Sequence, residues 1–296
     1  MPYRLSRRRP IADTVRAAGD DLLGRAEGRL SADRPSAAEI HRTRVAVKRV
    51  RALLILIADE EDAATQPLDH RLRDANRALS ARRDAGVLLD TFRDLAEHAA
   101  VRTFADFTAA RPRLDDIVRQ SARAFIPLET LARELAEARQ AWNQLPFAAD
   151  GWTALAAHVV ETYRRGRKQF GRLSSESTAL AFHELRKRAK LLQYQTEFLQ
   201  PMQPDRWSEL HDDLKKLTDK LGRHHDLEVL ADRLTAELPE TPSRRRILSA
   251  LRSRQATLVR KILRRCGGIY DEKPAHLLRH LQQDWAAWHK PRAIPS

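Results

Sequence analysis

Apolar positions recur every three to four residues along most of the chain, the spacing of helices that bury one face. The stretch EIHRTRVAVKRVRALLILI at 39–57 shows this pattern with an addition. At about 100° per residue, Ala46, Val47, Val50, Leu53, Leu54 and Ile57 gather on one side, centred near 180°. His41, Arg44, Lys48 and Arg51 gather between about 280° and 360°, while Arg42 and Arg49 point a third way, near 90°. The segment therefore carries a core stripe and a separate basic stripe about 15 Å long. Cations stacked on one helix face repel one another, so helix stability alone does not ask for them. An anion lying along the stripe would offset the repulsion.

The same periodicity predicts helices near 10–30, 36–58, 67–98, 112–145, 150–172, 178–200, 204–236, 242–266 and 274–288, with a shorter one over 100–110. Prolines fall between these segments or in their first turns, Pro112 included, where a missing N–H costs nothing. Ser36 and Glu39 have the spacing of a capping box. No segment alternates like a strand between hairpin turns. The expected fold class is all-α.

A shift of 142 residues superimposes the chain on itself. His41 falls on His183, Arg44 on Arg186 and Lys48 on Lys190. Gly24-Arg25 falls on Gly166-Arg167, Leu79 on Leu221, Asp84 on Asp226, and Val87-Leu88 on Val229-Leu230. One ungapped shift aligns three helices, which predicts two related four-helix units, 1–145 and 146–296, facing each other about a pseudo-two-fold axis. In the second unit His183, Arg186, Lys187, Lys190, Gln193 and Tyr194 share a face, opposite Leu185, Ala189, Leu192, Thr196 and Leu199. The Tyr194 hydroxyl adds a donor suited to a phosphate oxygen. Further candidate cations are Arg25 and, in YRRGRK, Arg164, Arg167 and Lys168. The helix over 242–266 is too dense in arginine for periodicity to choose. Arg245, Arg252 and Arg260 are its candidates for inward projection, and a plain solvated face is the alternative.

Composition sharpens the picture. The 296 residues carry 54 Lys and Arg against 40 Asp and Glu, a net charge of +14. Residues 1–150 contribute +3 of this and residues 151–296 contribute +11. Such a balance points to an acidic partner: nucleic acid, another polyanion or an anionic membrane surface. Cys266 is the only cysteine, which excludes an intrachain disulfide and a cysteine metal cluster. The basic N-terminus lacks the apolar segment of a secretory signal, and ALLILIA is too short to span a bilayer, so no membrane insertion and a cytoplasmic location are expected.

The pattern H-x-x-R-V-x-x-K-R-x-R at 41–51 resembles the signature of the CHAD family, the conserved histidine α-helical domain. HELRKRAKLLQYQTEFL at 183–199 resembles the family's second copy, and LSARRDAGVL and LGRHHDLEVL resemble its L-G-x-x-R-D-x-x-V-L element. The resemblance spans nearly the whole chain. It implies two four-helix bundles around a basic central cavity that binds inorganic polyphosphate without catalysis and without a cofactor. It further implies association with polyphosphate granules or polyphosphate enzymes. The E-x-E-x-K signature of the triphosphate tunnel domain fused to some members is absent, so the chain looks like the stand-alone form. Two positions depart from the pattern. Gln193 stands where the second copy usually has Arg, and His225 replaces the Arg expected before Asp226, whereas Arg83 keeps it before Asp84. Carboxylates are poor anion ligands, so Asp84 and Asp226 are expected to support and aim cations, with Arg83 beside them.

Two alternatives remain open at this level. A nucleic-acid partner fits the charge, although no helix-turn-helix, zinc-finger or RNA-binding signature is present and aromatics for base stacking are few. A metal-dependent phosphate-processing enzyme fits less well. Cations surround the signature histidines, and His276 and His280 have ligand spacing but no evident third ligand. No P-loop, H-E-x-x-H motif or nucleophile elbow appears.

Overall fold

A computed structural model describes residues 3–58, 62–97, 101–122, 125–146 and 151–289, apart from the side chains of 82–85, 101–104 and 120–122. Among the described residues there are ten α-helices and no strand. The first five are α1 (Ile11–Leu30), α2 (Ala37–Ile57), α3 (Gln66–Glu97), α4 (Val101–Ala122) and α5 (Leu128–Gln144). The second five are α6 (Gly151–Phe170), α7 (Ala179–Leu199), α8 (Pro204–Glu237), α9 (Pro242–Ile269) and α10 (Pro274–His289).

Local chemistry sets most ends. Ser36 caps α2 by accepting from the Glu39 amide at 3.2 Å, while the Glu39 carboxylate accepts from the Ser36 amide at 2.7 Å, the reciprocal box expected from the sequence. Thr178 caps α7 and Thr241 caps α9, and Pro204 and Pro242 occupy first-turn positions. One expectation fails. Residues 112–145 do not form a single helix. Instead α4 runs straight through Pro112, absorbing the short segment expected at 100–110, and Arg111 Nε reaches Asp115 at 3.0 Å across that turn. The break falls between Ala122 and Leu128, with Pro127 at the N-cap of α5, its φ of −54° and ψ of 144° outside the helical region. Each half therefore carries five helices.

Within the first half α1 packs on α2 and α5, α2 on α3, and α3 on α4 and α5. Within the second, α6 packs on α7 and α10, α7 on α8, and α8 on α9. Between the halves, contacts join helices that the 142-residue shift equates, α2 with α7, α3 with α8 and α4 with α9, and α2 also packs on α6, which the shift does not pair with it. The core stripe of α2 is buried through Ala46, Val47, Val50, Leu53 and Leu54, with Ile57 packed at its margin. That of α7 is buried through Leu185, Ala189, Leu192, Thr196 and Leu199. Trp142, Trp207, Phe107 and Phe198 are the bulkiest closed contributions.

Polar ties fasten the halves together. Arg49 of α2 grips both oxygens of Glu197 on α7 and lies 5.1 Å above the Tyr3 ring. Tyr3 donates to the Tyr194 carbonyl at 3.0 Å and the Leu5 amide to the Phe198 carbonyl at 2.8 Å, strapping the N-terminal segment over the end of α7. Asp106 of α4 takes two hydrogen bonds from Arg246 of α9, at 2.6 and 2.8 Å, and one from Ser243. These donors, Arg246 foremost, hold its carboxyl down at about 2.

The repeated Gly24 and Gly166 permit close approaches of different firmness. A Cβ at 166 would stand 2.7–2.9 Å from the Tyr270 ring and hydroxyl, and that ring is held by Tyr163 and Phe170. A Cβ at 24 would stand 3.0 Å from the guanidinium of Arg139, the far end of a flexible chain. Gly166→Ala is expected to destabilise the fold by about 1–3 kcal/mol. Gly24→Ala should cost clearly less, and urea unfolding of the two variants side by side measures the difference.

Candidate functional site

The basic stripe of α2 lies against α3. Arg44 is only 7% exposed and donates from Nη2 to Ser80 Oγ at 2.6 Å. Arg51 forks onto Asp69, Nε–Oδ1 2.6 Å and Nη2–Oδ2 3.3 Å, so its charge is balanced inside the protein. Burial raises the Asp69 carboxyl, but Arg51 and then Arg73 outweigh it and leave the group below its ordinary value. His41 is exposed at the start of the stripe and Lys48 is half-buried along it, and both interact with neighbouring groups.

The stripe of α7 lies against α8 in the same way. His183 is half-buried with its ring 5.2 Å from that of His225. Burial, His225, Arg186 and Lys187 together push its pKa below the ordinary imidazole value. Arg186 spans Gly222, where a Cβ would stand 3.7 Å from its Nη2. Lys190 donates to Gln193 Oε1 at 2.9 Å and sits 5.7 Å from the Tyr194 ring centre. Burial, aided by Arg186 and Lys215 and opposed by Asp219 and Glu197, brings the Lys190 ammonium down to about 8. Burial lifts Tyr194 to about 12 in spite of Arg49, Arg186 and Arg44, so at neutral pH it is a phenol able to donate.

The two departures noted in the sequence acquire structural content. Gln193 is 5% exposed and serves as a junction: its Oε1 accepts from Lys190 and from Thr218 Oγ1, both at 2.9 Å, and its carbonyl lies 3.1 Å from His211 Nδ1. Under the 142-residue shift Gln193 corresponds to Arg51 and His211 to Asp69. A charged pair in the first half is thus a polar pair in the second. Ser80 likewise corresponds to Gly222, so the hydroxyl that holds Arg44 has no counterpart beneath Arg186. Ser80, Asp69, Thr218 and His211 were not among the expected site residues; they stand on α3 and α8, and no pattern along α2 or α7 points to them. His225 stacks beside His183 instead of supplying a guanidinium.

The remaining candidates lie elsewhere. Arg25 pairs with Asp21 one turn earlier, and Arg164 forks onto Glu161 at 2.6 and 2.7 Å. Arg167 donates to the Tyr270 carbonyl at 3.0 Å, and Lys168 is exposed. Lys187, on the rim of its stripe, pairs with Glu184 at 2.9 Å. Arg252 sits on the exposed side of α9, a helix that packs on α8 and α4. Asp226 is half-buried and engaged by neighbours. The side chains of Arg83 and Asp84 fall outside the described residues. Among the described residues no three metal-ligating side chains converge, and His280 meets Glu272 at 3.2 Å. No described helix is long and apolar enough to cross a membrane.

The ten described helices, with α2 packed on α7, define an all-helical protein. The chain belongs to the CHAD family: the family model described as CHAD domain matches residues 14–235. Among solved structures it is similar to the CHAD domain from the plant Ricinus communis, with 18% identity over 94% of each chain and a TM-score of 0.55. That likeness concerns the fold, and its coverage of 94% of the chain exceeds the span of the family model. No curated protein matches the chain.

Lys190 offers a direct check on the electrostatics. Its folded pKa lies below the ordinary 10.5, so between pH 8 and 10.5 the unfolded chain holds a proton that the folded chain lacks. Stability contributed by this group therefore rises with pH across that window, and the full penalty applies below it. Lys190→Met removes the charge, while Thr218 still donates to Gln193. The variant should be more stable at pH 7 by about 1–3 kcal/mol. In urea titrations this advantage should shrink as the pH approaches 10.5.

Proposed function

We infer that the chain binds inorganic polyphosphate, without catalysis, along the stripes of α2 and α7. One observation carries this reading. Lys190 is kept desolvated on a neutral amide beside Arg186, an arrangement that costs stability unless an anion arrives. Polyphosphate has about one negative charge per phosphate and no bases, so it requires a track of donors and no sequence readout. Arginine forks onto two oxygens, lysine acts as a point charge, and histidine and tyrosine donate hydrogen bonds. Arg44, Lys48, Arg186, Lys190 and Tyr194 supply that set, with His41, His183 and Lys187 toward the entrance. In this reading 1–145 and 146–296 are two related units about a pseudo-two-fold axis, the basic cavity lies between them, and the protein gathers at cytoplasmic polyphosphate granules.

Calorimetric titration with long-chain polyphosphate should give submicromolar affinity that weakens steeply with salt, and orthophosphate should bind weakly. No heat and no competition with long chains would overturn the reading. Reversal at Arg186 and Lys190 together should cost about tenfold or more in affinity, whereas Arg42→Glu, on the exposed third face of α2, should cost little. Equal losses would refute the stripe assignment. Arg49 is a poor control, because its reversal would set a carboxylate against Glu197 and loosen the joint between the halves.

A further inference from the structure

Helix α9 contains eight Arg and one Lys in 28 residues, and no Asp or Glu. Its cations divide into two sets. Arg244, Arg245, Arg246, Arg254 and Arg265 reach acids, the first two Glu240 and the others Asp106, Asp94 and Asp213. They help dock the helix. Arg252, Arg260, Lys261 and Arg264 are exposed: Arg260 and Arg264 lie opposite the buried residues Ile247, Leu251, Leu258, Val259, Ile262 and Cys266, and Arg252 and Lys261 flank that outer side. Among the described residues these four have no ion-pair partner, and Arg260 alone has a hydrogen bond, to Thr257 at 3.2 Å. Between them stand Ser253, Ala256, Gly267 and Gly268, all exposed and all small.

This face is separate from the stripes. On α8, Asp213 and Glu228 meet α9, while His211, Thr218, Gly222 and His225 meet α7. At about 100° per residue the two sets lie about 120° apart around α8. A ligand seated along α7 does not reach the outer side of α9.

We propose that the outer face of α9 docks duplex nucleic acid through its phosphates, independently of base sequence. The helix is a straight rod about 42 Å long. Arginine forks suit phosphate oxygens, and small intervening residues let a broad, rigid polyanion come close to the rod. A flexible single phosphate chain gains more from a recessed track than from a convex helix. Insertion into a lipid surface would need exposed bulky apolar side chains. Among the described residues these are Ile126 and Leu180, neither on α9. The same face offers no aromatic ring for stacking single-stranded bases.

Fluorescence anisotropy with labelled DNA duplexes of about 20 base pairs, in two unrelated sequences, tests this. The full chain should bind both equally. Arg252→Gln/Arg260→Gln/Arg264→Gln should raise the duplex Kd about tenfold or more near 0.1 M salt and make the log–log salt slope shallower by about 3. Long-chain polyphosphate affinity should stay unchanged. The corresponding triple Lys variant, which keeps the charge, should retain most duplex binding, and circular dichroism should show all three proteins equally helical. Absence of duplex binding by the unaltered chain, or equal binding by the Gln variant, overturns the proposal. So does a parallel loss of polyphosphate binding, which would make α9 part of a polyphosphate surface. Failure of polyphosphate to bind at all, with duplex results as expected, would sink only the reading of the α2 and α7 stripes.

Discussion

Two cationic helices meet at the middle of this fold, and the surrounding structure is arranged around that repulsion. Bringing α2 and α7 together places Arg44, Arg186 and Lys190 within one poorly solvated region, where like charges interact more strongly than in water. Apolar burial on the opposite sides of both helices supplies the attraction that holds them. The Arg49–Glu197 fork adds a joint across the halves, and the Tyr3–Leu5 strap covers the end of α7. Long α3 and α8 then present short polar groups to the stripes: Ser80 to Arg44 and Thr218, through Gln193, to Lys190. The acceptors, Ser80 Oγ and Gln193 Oε1, satisfy hydrogen bonds without adding negative charge. Carboxylates in their place would stabilise the fold more and leave less for an anion to do.

The halves share a layout but not an electrostatic balance. The first neutralises one stripe cation through Arg51 and Asp69, whereas the second places neutral Gln193 and His211 at those positions. The first anchors its buried guanidinium on a hydroxyl, and the second spans a glycine with it. Two histidines sit side by side in the second half, at His183 and His225. These differences fall in the half with the larger net charge, +11 for residues 151–296 against +3 for residues 1–150.

Much of this was legible in the residues alone. The helix ends of α2 and α7 follow from caps and from the apolar period, and the 142-residue shift lays α2 on α7 end for end. What escaped had specific physical causes. Proline reads as punctuation, yet Pro112 lies inside α4 and the break falls between Ala122 and Leu128, because one lost hydrogen bond is tolerable where packing continues. Wheel geometry placed Arg51 in the stripe correctly but could not reveal Asp69, which approaches from another helix. Arg25, Arg164 and Arg167 were read as open cations, and each is engaged by a partner on its own helix or a neighbouring turn. Periodicity fails in α9 because arginine occupies every direction. Only tertiary contacts separate the arginines that dock the helix from those that face outward.

That separation bears on how charge is used across the molecule. A cation facing a carboxylate at short range adds little to the long-range field, whereas an unpaired exposed cation adds fully. Helix α4, which corresponds to α9, pairs Arg111 with its own Asp115 and Arg119 with its own Asp116, and its Asp106 serves Arg246 of α9. Helix α9 has no acids of its own and consumes only part of its arginines in docking. The excess positive charge of the second half is therefore divided between a recessed place, where desolvation sharpens each interaction, and an outer helix, where salt screens it. The first suits a slender chain held by many short contacts. The second suits a broad surface met at a distance, so its affinity should follow ionic strength far more closely than the identity of any one residue.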